Sequence, residues 1–83
     1  MSEINYEQFL SELVKPLVLY PEEVMVKIFG EEDNTITVQS MVNADDIGRV
    51  IGKKGRVINS IRTIAYASAS RFGKKIEVSV DTF

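Results

Sequence analysis

Ile47-Gly48-Arg49-Val50-Ile51-Gly52-Lys53-Lys54-Gly55-Arg56-Val57-Ile58 is the stretch whose reading decides the fold. Gly52 and Gly55 enclose two lysines, and apolar residues flank the pair at helical spacing on both sides. That pattern predicts a tight turn between two helices. Ile47, Val50 and Ile51 form the buried side of the first, which Gly52 ends. Val57, Ile58, Ile61, Ile64, Ala65, Ser68 and Phe72 trace a broad apolar stripe along the second, and Gly73 closes it. Without a Cβ at either glycine, the backbone of the turn can approach another molecule closely. Lys53 and Lys54 make an anion the natural choice.

Upstream, Asn43-Ala44-Asp45-Asp46 supplies the helix start, with Asn43 as N-cap and both aspartates in the first turn, where the helix dipole favours negative charge. Val24 to Phe29 and Thr35 to Val42 alternate with period 2 and read as two strands of an antiparallel hairpin, joined by a polar turn over Gly30-Glu31-Glu32-Asp33-Asn34. Tyr6, Phe9, Leu10, Leu13 and Val14 give residues 4–18 the spacing of an amphipathic helix, which Pro16 ends or kinks. Downstream, Ile76 to Val80 alternates again. The predicted organisation is therefore one domain over 1–83: an N-terminal helix (4–18), a hairpin (24–42), a helix-turn-helix (43–72) and a last strand (75–80). The order αββααβ requires a crossover from the second strand to the third, hence a parallel pair beside the hairpin. The fold class is α+β, a three-stranded mixed sheet with helices packed on one face.

Composition narrows the chemistry. The 83 residues contain no cysteine and no histidine, which removes disulfides, thiolate and imidazole metal sites, and every nucleophile scheme built on those residues. No segment approaches the roughly 18 apolar residues of a membrane span, and the first residues lack a basic, apolar leader, so a cytoplasmic protein without a membrane span is expected. The net charge of −2 conceals a dipole: residues 1–46 sum to −8 and residues 47–83 to +6. A basic patch on an acidic body suits a partner held locally through a few phosphates. A P-loop is excluded because three residues, not four, separate Gly48 from Gly52-Lys53, and Lys54 stands where a hydroxyl is needed. A dinucleotide fingerprint fails because no strand leads directly into the glycines. No cofactor is expected, and since no base, nucleophile or metal cluster converges, an enzyme is not expected either.

Val50-Ile51-Gly52-Lys53-Lys54-Gly55-Arg56-Val57-Ile58, followed by Ile61, resembles the Ile-Gly-x-x-Gly-x-x-Ile-x-x-Ile core of KH domains, and the element order is similar to their bacterial type II form. Val14-Lys15-Pro16-Leu17-Val18, Pro21-Glu22-Glu23-Val24 and Ser60-Ile61-Arg62-Thr63 extend the likeness to nearly the whole chain, which resembles the single-KH-domain KhpA (YlqC) family. The resemblance implies that Gly52, Lys53, Lys54 and Gly55 clamp the backbone of single-stranded RNA, that Arg49 and Arg56 extend the positive rim, and that bases enter a groove walled by residues such as Ile47, Ile51 and Ile58. The same three isoleucines also fit plain core packing. The expected role is that of a non-enzymatic RNA chaperone or post-transcriptional regulator. The family comparison further implies a homodimer, or a heteromer with a larger KH-containing partner of the KhpB (Jag/EloR) type. The Ala/Ser-rich second helix, Met25, Phe29 and Met41 are the candidate contact surfaces. The alternative is a protein-interaction subunit that touches RNA incidentally. Of the seven aromatic residues, none lies in the glycine turn, so stacking there is minor; Phe9 and Phe72 fit core positions.

Overall fold

The computed structural model describes residues 5–83. Its first helix, α1 (Tyr6–Val14), starts where the Asn5 side chain accepts the Gln8 N–H at 3.1 Å, a side-chain cap for one of the donors a helix start leaves unpaired. Tyr6, Leu10 and Val14 turn inward, and each fully buried aliphatic among them stabilises the fold by about 1.5–3 kcal/mol. Phe9 and Leu13 pack half-buried at the margin of the core. The helix expected over 4–18 stops at Val14, because Pro16 belongs to a separate 3-10 turn over Lys15–Leu17. Position 4 lies outside the described residues.

Three strands follow the alternation read from the sequence: the second keeps the bounds read for it, while the first begins one residue later and runs on to Glu32, and the last runs on to Thr82. They are β1 (Met25–Glu32), β2 (Thr35–Val42) and β3 (Lys75–Thr82), in the order β1-β2-β3. β1 pairs antiparallel and β3 parallel with the central β2. Ile36, Val38 and Val42 point to the helix side, and Thr35, Thr37, Gln39 and Met41 to the other, more open face. Ser40 also points inward, only 2% exposed, and its hydroxyl has no hydrogen-bond partner among the described residues; nothing in the structure explains it.

The polar turn expected over residues 30–34 is in fact only Asp33-Asn34, both in the left-handed region at φ 50° and 64°. A two-residue turn of that kind matches the twist of the flanking strands. Gly30, Glu31 and Glu32 stay in β1 because a bulge absorbs Phe29: Ile28 pairs with Val38, whereas Gly30 pairs with Thr37. Beyond the bulge Glu31 shares a face with Ile36 and meets Lys74 at 3.0 Å. Phe29 is turned out, 67% exposed.

After β2 comes a 3-10 turn (Ala44–Asp46), helix α2 (Ile47–Ile51), the glycine turn, and helix α3 (Arg56–Ser70), which leads back to β3. α3 buries Ile58, Ile61, Ala65 and Ala69. Alanine at two of these positions lets its backbone approach the sheet. The stripe read from sequence extended to Ile64, Ser68 and Phe72; Ser68 is half-buried, while Ile64 and Phe72 are exposed, Phe72 because the chain has already left the helix at Ser70 to turn at Gly73. All three helices pack on the face carrying Val38 and Val78. The fold is α+β, with the αββααβ order that the resemblance to type II KH domains implied.

Candidate nucleic-acid interface

The site is built from α2, the turn after it, and the first turn of α3. Val50 is fully buried and anchors α2 to the core. α2 then ends at Gly52, whose φ of 78° and ψ of 171° lie in a region essentially reserved for glycine. A Cβ at Gly52 would stand 2.4 Å from Val57 Cγ2 and 2.9 Å from the Val57 backbone nitrogen. The close approach between the end of α2 and the start of α3 therefore depends on this glycine.

Gly55 has another reason to be glycine. Its φ of 75° is left-handed, but a Cβ there would meet only ordinary contacts, at 3.7 Å to Asn59 Nδ2 and 3.9 Å to Ile58 Cγ2. The Gly55 N–H donates to the Gly52 carbonyl at 3.1 Å, closing the turn on itself. Lys54, between them, is also left-handed at φ 58°, a conformation that costs an L-residue about 1–2 kcal/mol. Two consecutive left-handed residues lift the lysines to the apex, and both side chains are exposed.

The cations differ in their freedom. Lys53, Lys54 and Arg56 take part in no ion pair among the described residues. Arg49 is partly engaged: Nη1 donates to the Asp45 carbonyl at 2.8 Å and lies 3.6 Å from Asp46 Oδ1. The three isoleucines named with them separate. Ile51 is exposed beside the turn, Ile47 is half-buried at the margin of the core, and Ile58 belongs to the core itself at 6% exposure. Ile51, and to a smaller extent Ile47, thus leave apolar surface open on α2, whereas Ile58 is part of the core packing.

Asp46 has a role the sequence reading did not find. It stands at the start of α2, yet its carboxylate caps no N–H of that helix. Fully buried, it accepts the Leu19 N–H on Oδ1 at 2.9 Å and the Tyr20 N–H on Oδ2 at 3.1 Å, tying the loop before β1 to the base of α2. Asn43 does cap, accepting the Asp45 N–H at 2.8 Å, and its amide donates to Glu23 Oε1 at 3.0 Å, a second tie to the same loop. The one signal for this was the unpaired backbone of a loop running into Pro21, which needs acceptors from elsewhere. Among the described residues no group of three or more His, Cys, Asp or Glu side chains converges, and no helix is long and apolar enough to cross a membrane.

A family profile described as "KhpA/KhpB, KH domain" matches residues 7–80. The RNA-binding protein KhpA of Listeria monocytogenes serovar 1/2a is 42% identical over 74 residues, 89% of this chain and 96% of the relative. The RNA-binding protein KhpA of Chlamydia trachomatis serovar D is also 42% identical, over 89% of this chain and 94% of its own length. That of Streptococcus pneumoniae serotype 4 is 39% identical over 90% of this chain and 92% of its own. Among solved structures, Era in complex with MgGDPNP and nucleotides 1506-1542 of 16S ribosomal RNA superposes with a TM-score of 0.68 at 21% identity, over 93% of this chain and 30% of Era. Aquifex aeolicus Era gives a TM-score of 0.57 at 19% identity, over 98% of this chain and 32% of that one. This chain thus spans about a third of the Era chains, and the likeness to them is one of fold.

Proposed function

Because this chain belongs to the KhpA/KhpB KH-domain family, we propose that it is a non-enzymatic RNA-binding protein that grips the backbone of single-stranded RNA through Gly52-Lys53-Lys54-Gly55. The observation that carries the reading is the apex of the turn. Lys54 is held in a strained left-handed conformation within a turn bounded by two glycines of positive φ, with its charge and that of Lys53 unpaired among the described residues. Strain of this kind persists where the surrounding structure imposes it, and it concentrates at working sites. Phosphates would lie against Lys53, Lys54 and Arg56, close to the first amides of α3. Ile51 and Ile47 would meet the sugars and bases, and Arg49, already shared with Asp45 and Asp46, would add long-range attraction.

Reversing both charges, Lys53→Asp with Lys54→Asp, tests the site, since both side chains project away from the core. Fluorescence anisotropy with a single-stranded RNA should show binding lost while circular dichroism and the melting temperature stay near wild type. Unchanged affinity would remove the turn from the site.

A backbone grip by one such unit is weak, and a second copy would raise the effective concentration of sites on one strand. We therefore read the protein as a chaperone or post-transcriptional regulator, a single KH unit acting in the cytoplasm as a homodimer or beside a larger KH-containing protein of the KhpB type. The second reading, a protein-interaction subunit with incidental RNA contact, is favoured by Ile64 and Tyr66, exposed by 44% and 48% on α3. Salt titration separates the two readings. Engaging three or four phosphates of a single strand gives a log-log slope of about −2 to −3, and a flat dependence favours the adaptor.

A further inference from the structure

The hairpin end of the sheet carries a feature that neither the core nor the glycine turn uses. Gly30 lies in the interior of β1, opposite Thr37. Its φ is not left-handed, and a Cβ built there would meet nothing within 4 Å. Neither conformation nor packing therefore requires glycine at this position. Glycine weakens a strand interior, and where it stands in one it often marks a close approach by another molecule. What the missing side chain leaves here is the floor of a cavity of about 410 Å³, lined by Phe29, Gly30, Glu32, Asp33, Thr35 and Thr37. That volume lies within the range of ligand-binding clefts.

Phe29 forms one wall of the cleft. The bulge turns it outward, so that a large aromatic side chain stands 67% exposed. The rest of the lining can accept hydrogen bonds, through the carboxylates of Glu32 and Asp33 and the hydroxyls of Thr35 and Thr37. Neither carboxylate is in an ion pair among the described residues, whereas the neighbouring Glu31 is taken by Lys74. Across β2, Thr37 pairs with Glu77 and Thr35 with Lys75, so the strand beyond adds one charge of each sign. An exposed ring beside two free carboxylates is the chemistry that holds a cation. A planar guanidinium fits best, because it stacks on the ring while its N–H groups reach several acceptors. Residues 1–46 sum to −8, and a field that attracts a basic segment repels a phosphate backbone. The glycine turn stands at the other end of the molecule: β2 starts here at Thr35, α2 departs only beyond Val42, and α3 spans about 22 Å on its way back. Nucleic acid at that turn leaves the cleft free.

We propose that the cleft at Phe29 and Gly30 is a docking site for an arginine side chain carried by a basic, extended segment of a protein partner. The guanidinium stacks on Phe29, Glu32 and Asp33 supply the opposing charge, and Thr35 and Thr37 accept the remaining N–H groups. The notch at Gly30 admits the aliphatic stem. Docking here is independent of the RNA-binding reading and is compatible with it, since the two surfaces lie at opposite ends of the fold.

The test is a nuclear magnetic resonance titration of the isotope-labelled full chain with the peptide acetyl-Gly-Arg-Gly-Arg-Gly-amide, with its lysine counterpart, and with oligouridylate. The arginine peptide should shift the backbone amides of residues 29–37 saturably, the lysine peptide should bind more weakly, and oligouridylate should leave these amides unmoved. Gly30→Thr fills the notch without meeting any neighbour, so it should abolish peptide binding while melting at or above the wild-type temperature. Phe29→Ser removes only an exposed ring and should weaken binding about 2- to 5-fold, the worth of an exposed cation–π contact; should Gly30→Thr melt lower, this variant decides. Equal binding of the lysine peptide, or shifts that spread to Glu12 and Glu22 without saturating, overturns the site and leaves only general attraction to an acidic surface. Absence of any shift with the arginine peptide, undiminished binding by both variants, or movement of the same amides by oligouridylate overturns it as well.

Discussion

Replacing each glycine of the turn by alanine, one at a time, should give two different stability losses. At Gly52 the new methyl enters a glycine-only region of backbone space, at a cost of about 1–3 kcal/mol. It also lands 2.4 Å from Val57 Cγ2 and 2.9 Å from the Val57 nitrogen. A side chain can rotate away, but the backbone nitrogen belongs to the first turn of α3 and cannot move without dragging the helix. Overpacking of this sort adds about 1–3 kcal/mol. Alanine returns about 0.4–1 kcal/mol by stiffening the unfolded chain, so Gly52→Ala should lose about 2–5 kcal/mol. At Gly55 only the left-handed penalty of about 1–2 kcal/mol applies, since the nearest atoms sit at 3.7 and 3.9 Å. Less the same entropy gain, Gly55→Ala should lose about 1 kcal/mol. Urea unfolding followed by circular dichroism measures both, with the loss read from the midpoint at unchanged slope. Against a total stability of about 5–15 kcal/mol, the first variant should be severely weakened and the second still folded. Losses equal within about 0.5 kcal/mol, or a larger loss at Gly55, would refute the assignment of Gly52 to helix packing and of Gly55 to backbone conformation alone.

Lys54→Gly should stabilise the fold by about 0.5–1 kcal/mol, because relief of the left-handed strain exceeds the added unfolded-state entropy; it should also weaken RNA binding and lower the salt slope by about 0.7. A less stable variant would contradict the strain. Asp46→Asn keeps the shape but leaves one acceptor for two backbone N–H groups and turns an amide donor toward the other. The expected loss is about 1–3 kcal/mol, visible as a lower melting temperature by about 5–20 °C. An unchanged melt would mean that the Leu19 and Tyr20 amides are satisfied elsewhere.

What could be read from sequence was the periodic part. Tyr6, Leu10 and Val14 announced α1, the alternation from Ile36 to Val42 announced β2, and the glycine pair announced the junction of α2 and α3. The misreadings fell where local composition and tertiary context disagree. Gly30-Glu31-Glu32 has the composition of a loop, yet it stays in β1 because the bulge at Phe29 restores the register and Lys74 receives Glu31 across the sheet. Phe72 continues an apolar stripe that the helix itself does not follow to its end. Asp46 stands where helix starts favour an acid, and its partners, Leu19 and Tyr20, lie more than twenty positions earlier, beyond the reach of any local rule. In the candidate site, Gly52, Gly55 and the lysines were legible because conformation and charge both mark them. That Arg49 is shared with Asp45 and Asp46, and that Ile58 is core, depends on how α2 and α3 dock.

The pairing of β3 with β2 also bears on how fast the molecule assembles. Its first pair joins Thr35 to Lys75 and its last joins Val42 to Thr82, so each contact bridges 40 positions, whereas β1 and β2 meet across the two-residue turn at Asp33-Asn34. Hairpins close in about 1–10 μs, but contacts this distant must wait until the intervening chain has been brought together. The rate-limiting event should therefore be the docking of α2 and α3 with β3 onto a preformed hairpin, and until it occurs one edge of β2 and its apolar face stand open to other unfinished copies.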